Sequence, residues 1–167
     1  MGIGGQLVTI VVDVANVMGS RPDGWWRDRA GAAVRLHAEI ARLAASGHVI
    51  LPDGRGPEPG PGEPDRPGFV MVLEGAARAA AARLAPAGQV GRAAAEPDAA
   101  ARLAPAGQGE VRVVQARGSG DDTIVAVVRE LPGRRVVVTA DRELRERCLA
   151  AGAEVLGPGW LLGLLRG

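Results

Sequence analysis

The sequence predicts a three-layer α/β domain in which a central parallel sheet is flanked by helices. Apolar, β-branched runs alternate with helical patterns along the chain, which calls for parallel strands joined by helical connections. The runs at residues 7–12 and 69–73 are apolar or β-branched throughout, as in strands that are buried on both faces. A chain of 167 residues suffices for one domain with a sizeable core, so we expect a single domain over residues 1–167.

The first half of the chain predicts strands separated by one long helix. Residues 7–12 form the first strand, which ends at Asp13. Because Asp13 interrupts the apolar segment and no basic segment precedes it, we expect a buried strand there and no signal peptide. Residues 28–45 carry apolar side chains at helical spacing and predict a helix. A short strand at residues 48–51 and a longer one at residues 69–73, followed by an Ala-rich helix, complete this half.

The second half continues the alternation. Strands are predicted at residues 111–116 and 135–139, with a short edge strand at residues 154–156. The helices between and after them are predicted over residues 121–131, 142–151 and 160–165.

Two segments depart from this pattern. Residues 52–68 contain six Pro and five Gly, so we expect a mobile loop with neither helix nor central strand. The string AAARLAPAGQ occurs at residues 80–89 and again at residues 99–108, which indicates a duplicated Ala-rich insertion around residues 80–108. Two copies are too few for a repeat architecture. We therefore assign the insertion no function and expect poor order over much of residues 85–109.

The composition excludes some chemistry and leaves nucleic-acid binding open. All 20 basic residues are Arg, so no Lys can serve as Schiff base, general base or phosphate anchor. The net charge of +1 neither favours nor excludes a nucleic-acid partner. The single Cys148 cannot form an intramolecular disulfide, which fits the reducing cytoplasm. No segment of the sequence is long and apolar enough to predict a membrane span.

Acidic residues follow four of the predicted strands or the short turns after them. They are Asp13, Glu74, the pair Asp121 and Asp122, and Asp141. Because the carboxyl ends of parallel strands share one edge of the sheet, these acids should converge there. Clustered carboxylates repel one another unless a cation lies between them, and oxygen ligands without His or Cys favour Mg²⁺ or Mn²⁺. The pattern therefore predicts a divalent-metal site of the kind that binds phosphate oxygens.

Each acid taken alone has a simpler interpretation. Asp121 and Asp141 stand where a helix N-cap is expected, and Asp is common at N-caps for hydrogen-bonding reasons. Asp13 is the exception, because an Asp that ends a buried strand is costly without a partner. The coincidence at four places favours a shared metal site over independent caps and turns.

Three motifs in the core of the chain occur in a fixed order. They are residues 11–17 (VVDVANV), residues 118–124 (GSGDDTI) and residues 136–144 (VVVTADREL). They resemble the first strand with D-x-x-N, the acidic helix start and the last core strand with T-x-D of the PIN-like nucleases, and within them the NYN and YacP-like branch. The Pro/Gly loop and the duplicated segment depart from that family's compact form.

This resemblance implies a Rossmann-like sheet, a bound Mg²⁺ or Mn²⁺, and hydrolysis of RNA phosphodiester bonds by an endoribonuclease. It implies that Asp13, Asp122 and Asp141 are metal ligands and catalytic residues. Asp122 is preferred over Asp121 because it directly precedes Thr123 and Ile124, as the acid of that family precedes its apolar helix residues. Asn16 would orient a phosphate or the attacking water. The further metal ligands would be Asp121 and Glu74.

An Arg- and Trp-rich segment at residues 21–29 follows the first acid. Arg pairs with phosphate through two hydrogen bonds and Trp can stack on a base, so this segment is suited to grip single-stranded RNA. A simpler interpretation is that at least one Trp packs beneath the segment, in a protein with only 2% aromatic residues. The candidate RNA-binding residues are Arg21, Trp25, Trp26, Arg27 and Arg29.

Two other functions are compatible with parts of the pattern. A haloacid-dehalogenase-like phosphohydrolase also uses an Asp after the first strand. Such an enzyme needs a second acid two residues later, where this chain has Ala15, and a Lys or Arg for its phosphorylated intermediate. A non-catalytic RNA-binding module of the same fold would keep the acids without turnover. The RNA target, the cleavage specificity and the oligomeric state, a homodimer included, stay open.

Overall fold

The computed structural model describes residues 7–54, 66–84, 107 and 109–167, which form the expected three-layer α/β domain. The strands in these ranges are β1 (Val8–Asp13), β2 (Gly68–Leu73), β3 (Val111–Gln115), β4 (Arg134–Val138) and β5 (Glu154–Leu156). The helices are α1 (Val14–Gly19), α2 (Arg29–Ser46), α3 (Ala80–Leu84), α4 (Gly120–Glu130), α5 (Arg142–Ala150) and α6 (Pro158–Arg166). Short 3₁₀ turns cover Trp25–Arg27 and Gly75–Ala79.

The strands form one parallel sheet in the order β3-β2-β1-β4-β5. Val12 of the central strand β1 lies opposite Met71 of β2 on one side and Val138 of β4 on the other. The chain order reverses between β1 and β4, and a crevice at the carboxyl ends of such strands is where open α/β sheets bind ligands. Asp13, as the last residue of β1, stands at this position.

Apolar side chains fill the space between the sheet and both helical layers. Ile10 and Val12 belong to one buried cluster, with residues of α1, α2 and α6. Val11, which points to the other face, belongs to a second cluster with residues of α4 and α5. Successive residues of β1 therefore pack into opposite cores, which explains why Ile10, Val11 and Val12 are all apolar.

The prediction of a strand at residues 48–51 is wrong. These residues are described and pair with no strand, although Val49 and Leu51 are buried while Ile50 is 69% exposed. The alternation suggests a strand, but β2 and β4 already occupy both edges of β1. The segment is anchored instead by a hydrogen bond of 3.2 Å that Trp160 Nε1 donates to the Ile50 carbonyl.

Helix termini differ from the sequence prediction in two places. Helix α1 is not among the predicted elements; it starts directly after β1 and takes Asp13 as its N-cap. At α4 the N-cap is Ser119, whereas the sequence suggests Asp121. Asp141 caps α5 as expected. Asp121 therefore does not cap α4, and helix capping does not explain why an acid stands at this position.

The two segments expected to be mobile lie mostly outside the described residues. Of residues 52–68, the last one, Gly68, already belongs to β2. Helix α3 occupies the start of the duplicated segment at residues 80–108. Within the described ranges, no helix combines the length and the apolar character that crossing a membrane requires.

Candidate active site

The acids at the carboxyl-end edge of the sheet line one open pocket of about 390 Å³. The pocket lies where β1, β2 and β4 end and where α4 begins. Four separate segments of the chain each contribute a carboxyl group to it. The lining residues are Asp13, Ala15, Asn16, Gly19, Ser20, Trp25, Glu74, Asp121 and Asp141.

Asp13 is the most buried of these acids, at 7% exposure. Its Oδ1 accepts a hydrogen bond from the Asn16 backbone N–H at 3.3 Å, and its Oδ2 accepts one from Thr139 Oγ1 at 2.8 Å. Burial raises the pKa of Asp13 from 3.8 to about 6. The two hydrogen bonds oppose that rise, and the negative charges of Asp121 and Glu74 add to it. A nearby cation would favour the ionised form of this carboxyl group.

Thr139 connects Asp13 to Asp141. The Thr139 hydroxyl donates to Asp13, and its oxygen also accepts a hydrogen bond of 3.1 Å from the Asp141 backbone N–H. Asp141 Oδ1 accepts from the Leu144 N–H at 2.9 Å, which makes it the N-cap of α5. Capping engages one of the two carboxylate oxygens. For Asp141, capping a helix and lining the pocket are therefore compatible roles.

Asn16 joins α1 to the turn that follows β4. Its Oδ1 accepts a hydrogen bond of 2.8 Å from the Ala140 backbone N–H. This bond fixes the amide beside Asp13 at the edge of the pocket. Within the described part of the chain, the Asn16 amide nitrogen makes no hydrogen bond, so its two N–H groups are available as donors.

Glu74 and the start of α4 meet closely because Gly120 has no side chain. The Gly120 N–H donates to Glu74 Oε2 at 2.8 Å, and a Cβ on Gly120 would overlap that oxygen. This contact brings Asp121, the next residue, to the pocket. Burial raises the pKa of Asp121, the charges of Asp141 and Glu74 raise it further, and Arg147 lowers it.

The structure places Asp121 in the pocket and leaves its neighbour Asp122 outside it. The Asp122 side chain is 70% exposed, and its Oδ1 accepts a hydrogen bond of 2.6 Å from Arg147 Nη2 on α5. Successive residues of an α-helix project about 100° apart, so only one of two adjacent acids can face the pocket. The sequence-based preference for Asp122 is therefore corrected in favour of Asp121.

The donor set of the pocket fits a hard divalent cation. Among the described residues, four carboxylates and one amide line the pocket, and no basic side chain does. As the side chains stand, no group of three or more His, Cys, Asp or Glu among the described residues could hold a metal ion on its own. Mg²⁺ usually takes only one or two carboxylates together with waters and substrate phosphates, so it does not require such a closed group. The acids that line the pocket are Asp13, Glu74, Asp121 and Asp141.

The structure divides the Arg- and Trp-rich segment. Trp25 is half-buried and lines the pocket, whereas Trp26 is 56% exposed, and their rings meet edge to face with centroids 6.3 Å apart. Arg27 lies over the Trp26 ring and Arg29 over the Trp25 ring. Arg21 is engaged in an ion pair with α2. Among the five candidate RNA-binding residues, Trp25 alone lines the acidic pocket.

Three residues that shape the site were not among those predicted from the sequence. Thr139 positions Asp13, Gly120 admits Glu74, and Arg147 holds Asp122 away from the pocket. The T-x-D motif was a usable signal for Thr139, because it places a hydroxyl two residues before an acid. The other two depend on contacts between elements far apart in sequence, and no local pattern indicates them.

Comparison with known proteins supports the fold. No protein-family model matches the chain, and no curated protein matches it by sequence. Among solved structures, a variant of Rae1 (YacP) from Bacillus subtilis matches with a TM-score of 0.56 and 13% sequence identity. The match covers 96% of this chain and 76% of that chain. It confirms the PIN-like, YacP-like fold that the three sequence motifs resemble.

Proposed function

We propose that the chain is a metal-dependent endoribonuclease that hydrolyses RNA phosphodiester bonds. One observation carries the proposal: four carboxyl groups from four segments line a single pocket, and none of the described residues that line it is basic. The pocket stands at the edge where α/β sheets of this topology bind ligands. The fold shared with YacP and the three ordered motifs support the same function.

In this proposal the acids hold the cation and Asn16 positions a reactant. One or two of Asp13, Glu74, Asp121 and Asp141 would bind Mg²⁺ or Mn²⁺ directly, and waters and substrate phosphate would supply its other ligands. The ion would neutralise phosphate charge and lower the pKa of a bound water. Asp13 is already fixed by hydrogen bonds to both of its oxygens, so it needs little reorganisation when a cation arrives. The free amide N–H groups of Asn16 donate to a phosphate oxygen or to the attacking water.

The phosphohydrolase alternative loses support at Ala15. A haloacid-dehalogenase-like enzyme requires an acid at this position, and here a methyl group lines the pocket. A non-catalytic RNA-binding module would keep the same pocket, and turnover alone separates it from a nuclease. Nothing in the lining residues favours that module over the enzyme.

The test is incubation of the purified protein with single-stranded and structured RNA in Mg²⁺, Mn²⁺ or EDTA. We expect cleavage with either cation, none in EDTA, and recovery when excess cation is restored. Asp13→Asn is the matched control, because it keeps the size and one acceptor oxygen but loses the charge. A contaminating nuclease would cleave equally in both preparations. RNA that is bound but never cleaved would favour the binding module, and cleavage in EDTA would exclude metal dependence.

We also propose that the chain acts on single-stranded RNA in the cytoplasm. Cys148 is buried as a free thiol, which is compatible with a reducing compartment. Fractionation of cells that express the full chain would test this location. Recovery in an extracytoplasmic fraction would contradict it.

A further inference from the structure

A second cavity of about 340 Å³ adjoins the acidic pocket. The two share Ala15, Trp25 and Glu74 as lining residues, so they are neighbouring parts of one surface depression. Binding sites for small molecules commonly measure about 300–1,000 Å³, so the second cavity is large enough to take a compact group. Its position means that any molecule bound over the acids can extend into it.

The lining of the second cavity differs in chemistry from that of the first. Besides Glu74, its lining side chains are an aromatic ring, apolar groups and one cation. Met18 contributes an apolar wall, and the guanidinium of Arg29 lies over the Trp25 ring at 5.3 Å from the ring centroid. Flat π surfaces and a planar guanidinium are the groups on which nucleobases stack.

Arg29 stands at a position that helix stability does not favour. It is the first residue of α2, where the helix dipole makes a positive charge unfavourable. The contact with Trp25 at the cavity wall gives this cation a local partner. Its exposed side chain is therefore placed where it can meet a base or a neighbouring phosphate.

Gly118 leaves one wall of the cavity open. A Cβ built on Gly118 would meet no atom within 4 Å, and its backbone is not in the left-handed region. A larger side chain at this position therefore projects into free space without straining the fold. This property provides a position at the cavity wall where a larger side chain can be introduced without substituting any of the acids.

We propose that the second cavity binds the unpaired base of the nucleotide next to the scissile phosphodiester, stacked against Trp25 and contacted by Arg29. The inference rests on the proposed nuclease function and specifies its substrate as single-stranded, because a base inside the cavity cannot be paired. Trp26, although more exposed, does not line either cavity and has no part in this subsite.

The experiment compares adenosine 5′-monophosphate with ribose 5-phosphate, which lacks the base, by calorimetric titration in the presence of Mn²⁺. Neither probe can be cleaved as a diester, so binding is separated from turnover. The variants are Gly118→Leu, which adds a large side chain at the cavity wall, and Arg29→Ala, which removes the cation. Arg35→Ala, the same change at an exposed position of α2 that lines neither cavity, is the matched control for Arg29→Ala. Thermal melts verify that each variant is folded.

We expect the nucleotide to bind more tightly than the sugar phosphate. Gly118→Leu and Arg29→Ala should each weaken nucleotide binding about fivefold or more, which is the lower range for loss of one stacked base. Gly118→Leu should leave the sugar phosphate unaffected, and Arg35→Ala should change the binding of neither ligand.

The inference is overturned if the nucleotide does not bind, if it binds no better than the sugar phosphate, or if Gly118→Leu binds it as tightly as the parent. These outcomes are independent of the cleavage assay. Base-dependent binding without any RNA cleavage would refute the nuclease proposal alone, and cleavage without base-dependent binding would refute the subsite alone.

Discussion

The Thr139 hydroxyl donates a buried hydrogen bond of 2.8 Å to Asp13 Oδ2, across 126 positions of sequence. The same oxygen accepts from the backbone N–H of Asp141. One side chain therefore couples the positions of two acids on either side of the crevice between β1 and β4. Because Thr139 is only 3% exposed, water cannot readily replace this link.

Thr139→Val should impair both stability and cleavage. The substitution keeps the shape but removes the donor to Asp13, at a cost of about 1–3 kcal/mol in the free energy of unfolding. Loss of a group that orients a metal ligand typically lowers activity about 10- to 100-fold. Thr139→Ser keeps the hydroxyl and should retain most of the activity. Urea denaturation and cleavage rates would measure both effects, and equal rates for the Val and Ser variants would deny Thr139 a positioning role.

The metal-free protein should lose stability through Asp13 as the pH rises from about 4 to about 6. The pKa of Asp13 is about 6 in the folded protein against an ordinary 3.8, so the folded state binds more protons in this window. Ionisation across the window therefore costs the folded state roughly 3 kcal/mol. Because other acids also ionise in this pH range, the contribution of Asp13 is obtained as the difference in unfolding free energy between wild type and Asp13→Asn. If the free energy of unfolding changed with pH by the same amount in wild type and in Asp13→Asn, the raised pKa of Asp13 would be contradicted.

Asp13→Asn should melt at the same temperature as wild type or higher at pH 7 without metal. Asn retains an oxygen for the Thr139 hydroxyl but gives up the acceptor for the Asn16 N–H, which is the longer bond at 3.3 Å. We expect the removal of a buried charge from the acid cluster to offset that loss. Mn²⁺ should then stabilise the wild type more than the variant, because only the intact cluster binds it tightly. Thermal melts with and without Mn²⁺ decide the matter. A variant that is clearly less stable, yet gains as much from Mn²⁺, would make Asp13 a structural residue.

Gly120→Ala should displace Glu74 while leaving the fold intact. The new Cβ would overlap the end of a flexible Glu side chain, which can rotate away, and Ala is a better helix former than Gly. We expect little change in melting temperature and a loss of activity similar to that of Glu74→Gln. Gly159→Ala, near the start of α6 where a Cβ meets no atom within 4 Å, is the control. If Gly120→Ala cleaved RNA at the wild-type rate, Glu74 would have no role in the activity of the site.

The sequence predicts the layers of the fold because each strand carries its own evidence. Residues of β1 are apolar on both faces since each face supplies a separate core, and that information is local. Residues 48–51 show where local evidence fails. Their alternating pattern is that of a strand, but pairing depends on whether an edge of the sheet is free, and none is free beside β1.

The sequence also predicts which acids gather, but not which of two neighbours enters the pocket. Asp121 and Asp122 have the same chemistry and adjacent positions. Their difference arises from the start of α4 at Gly120 and from Arg147 on α5, which attracts Asp122 outward. Both causes are contacts between separate elements, so the motif alone could not decide.

The most direct test of the central claim is RNA cleavage in Mn²⁺ by Asp121→Asn and Asp122→Asn. The two variants make the same chemical change one residue apart, and they differ in whether the acid lines the pocket. We predict a loss of more than about 100-fold for Asp121→Asn, beyond the usual effect of an outer residue, and a near wild-type rate for Asp122→Asn. Full activity in Asp121→Asn, or a greater loss in Asp122→Asn, would contradict the assignment of this pocket as the metal-dependent active site.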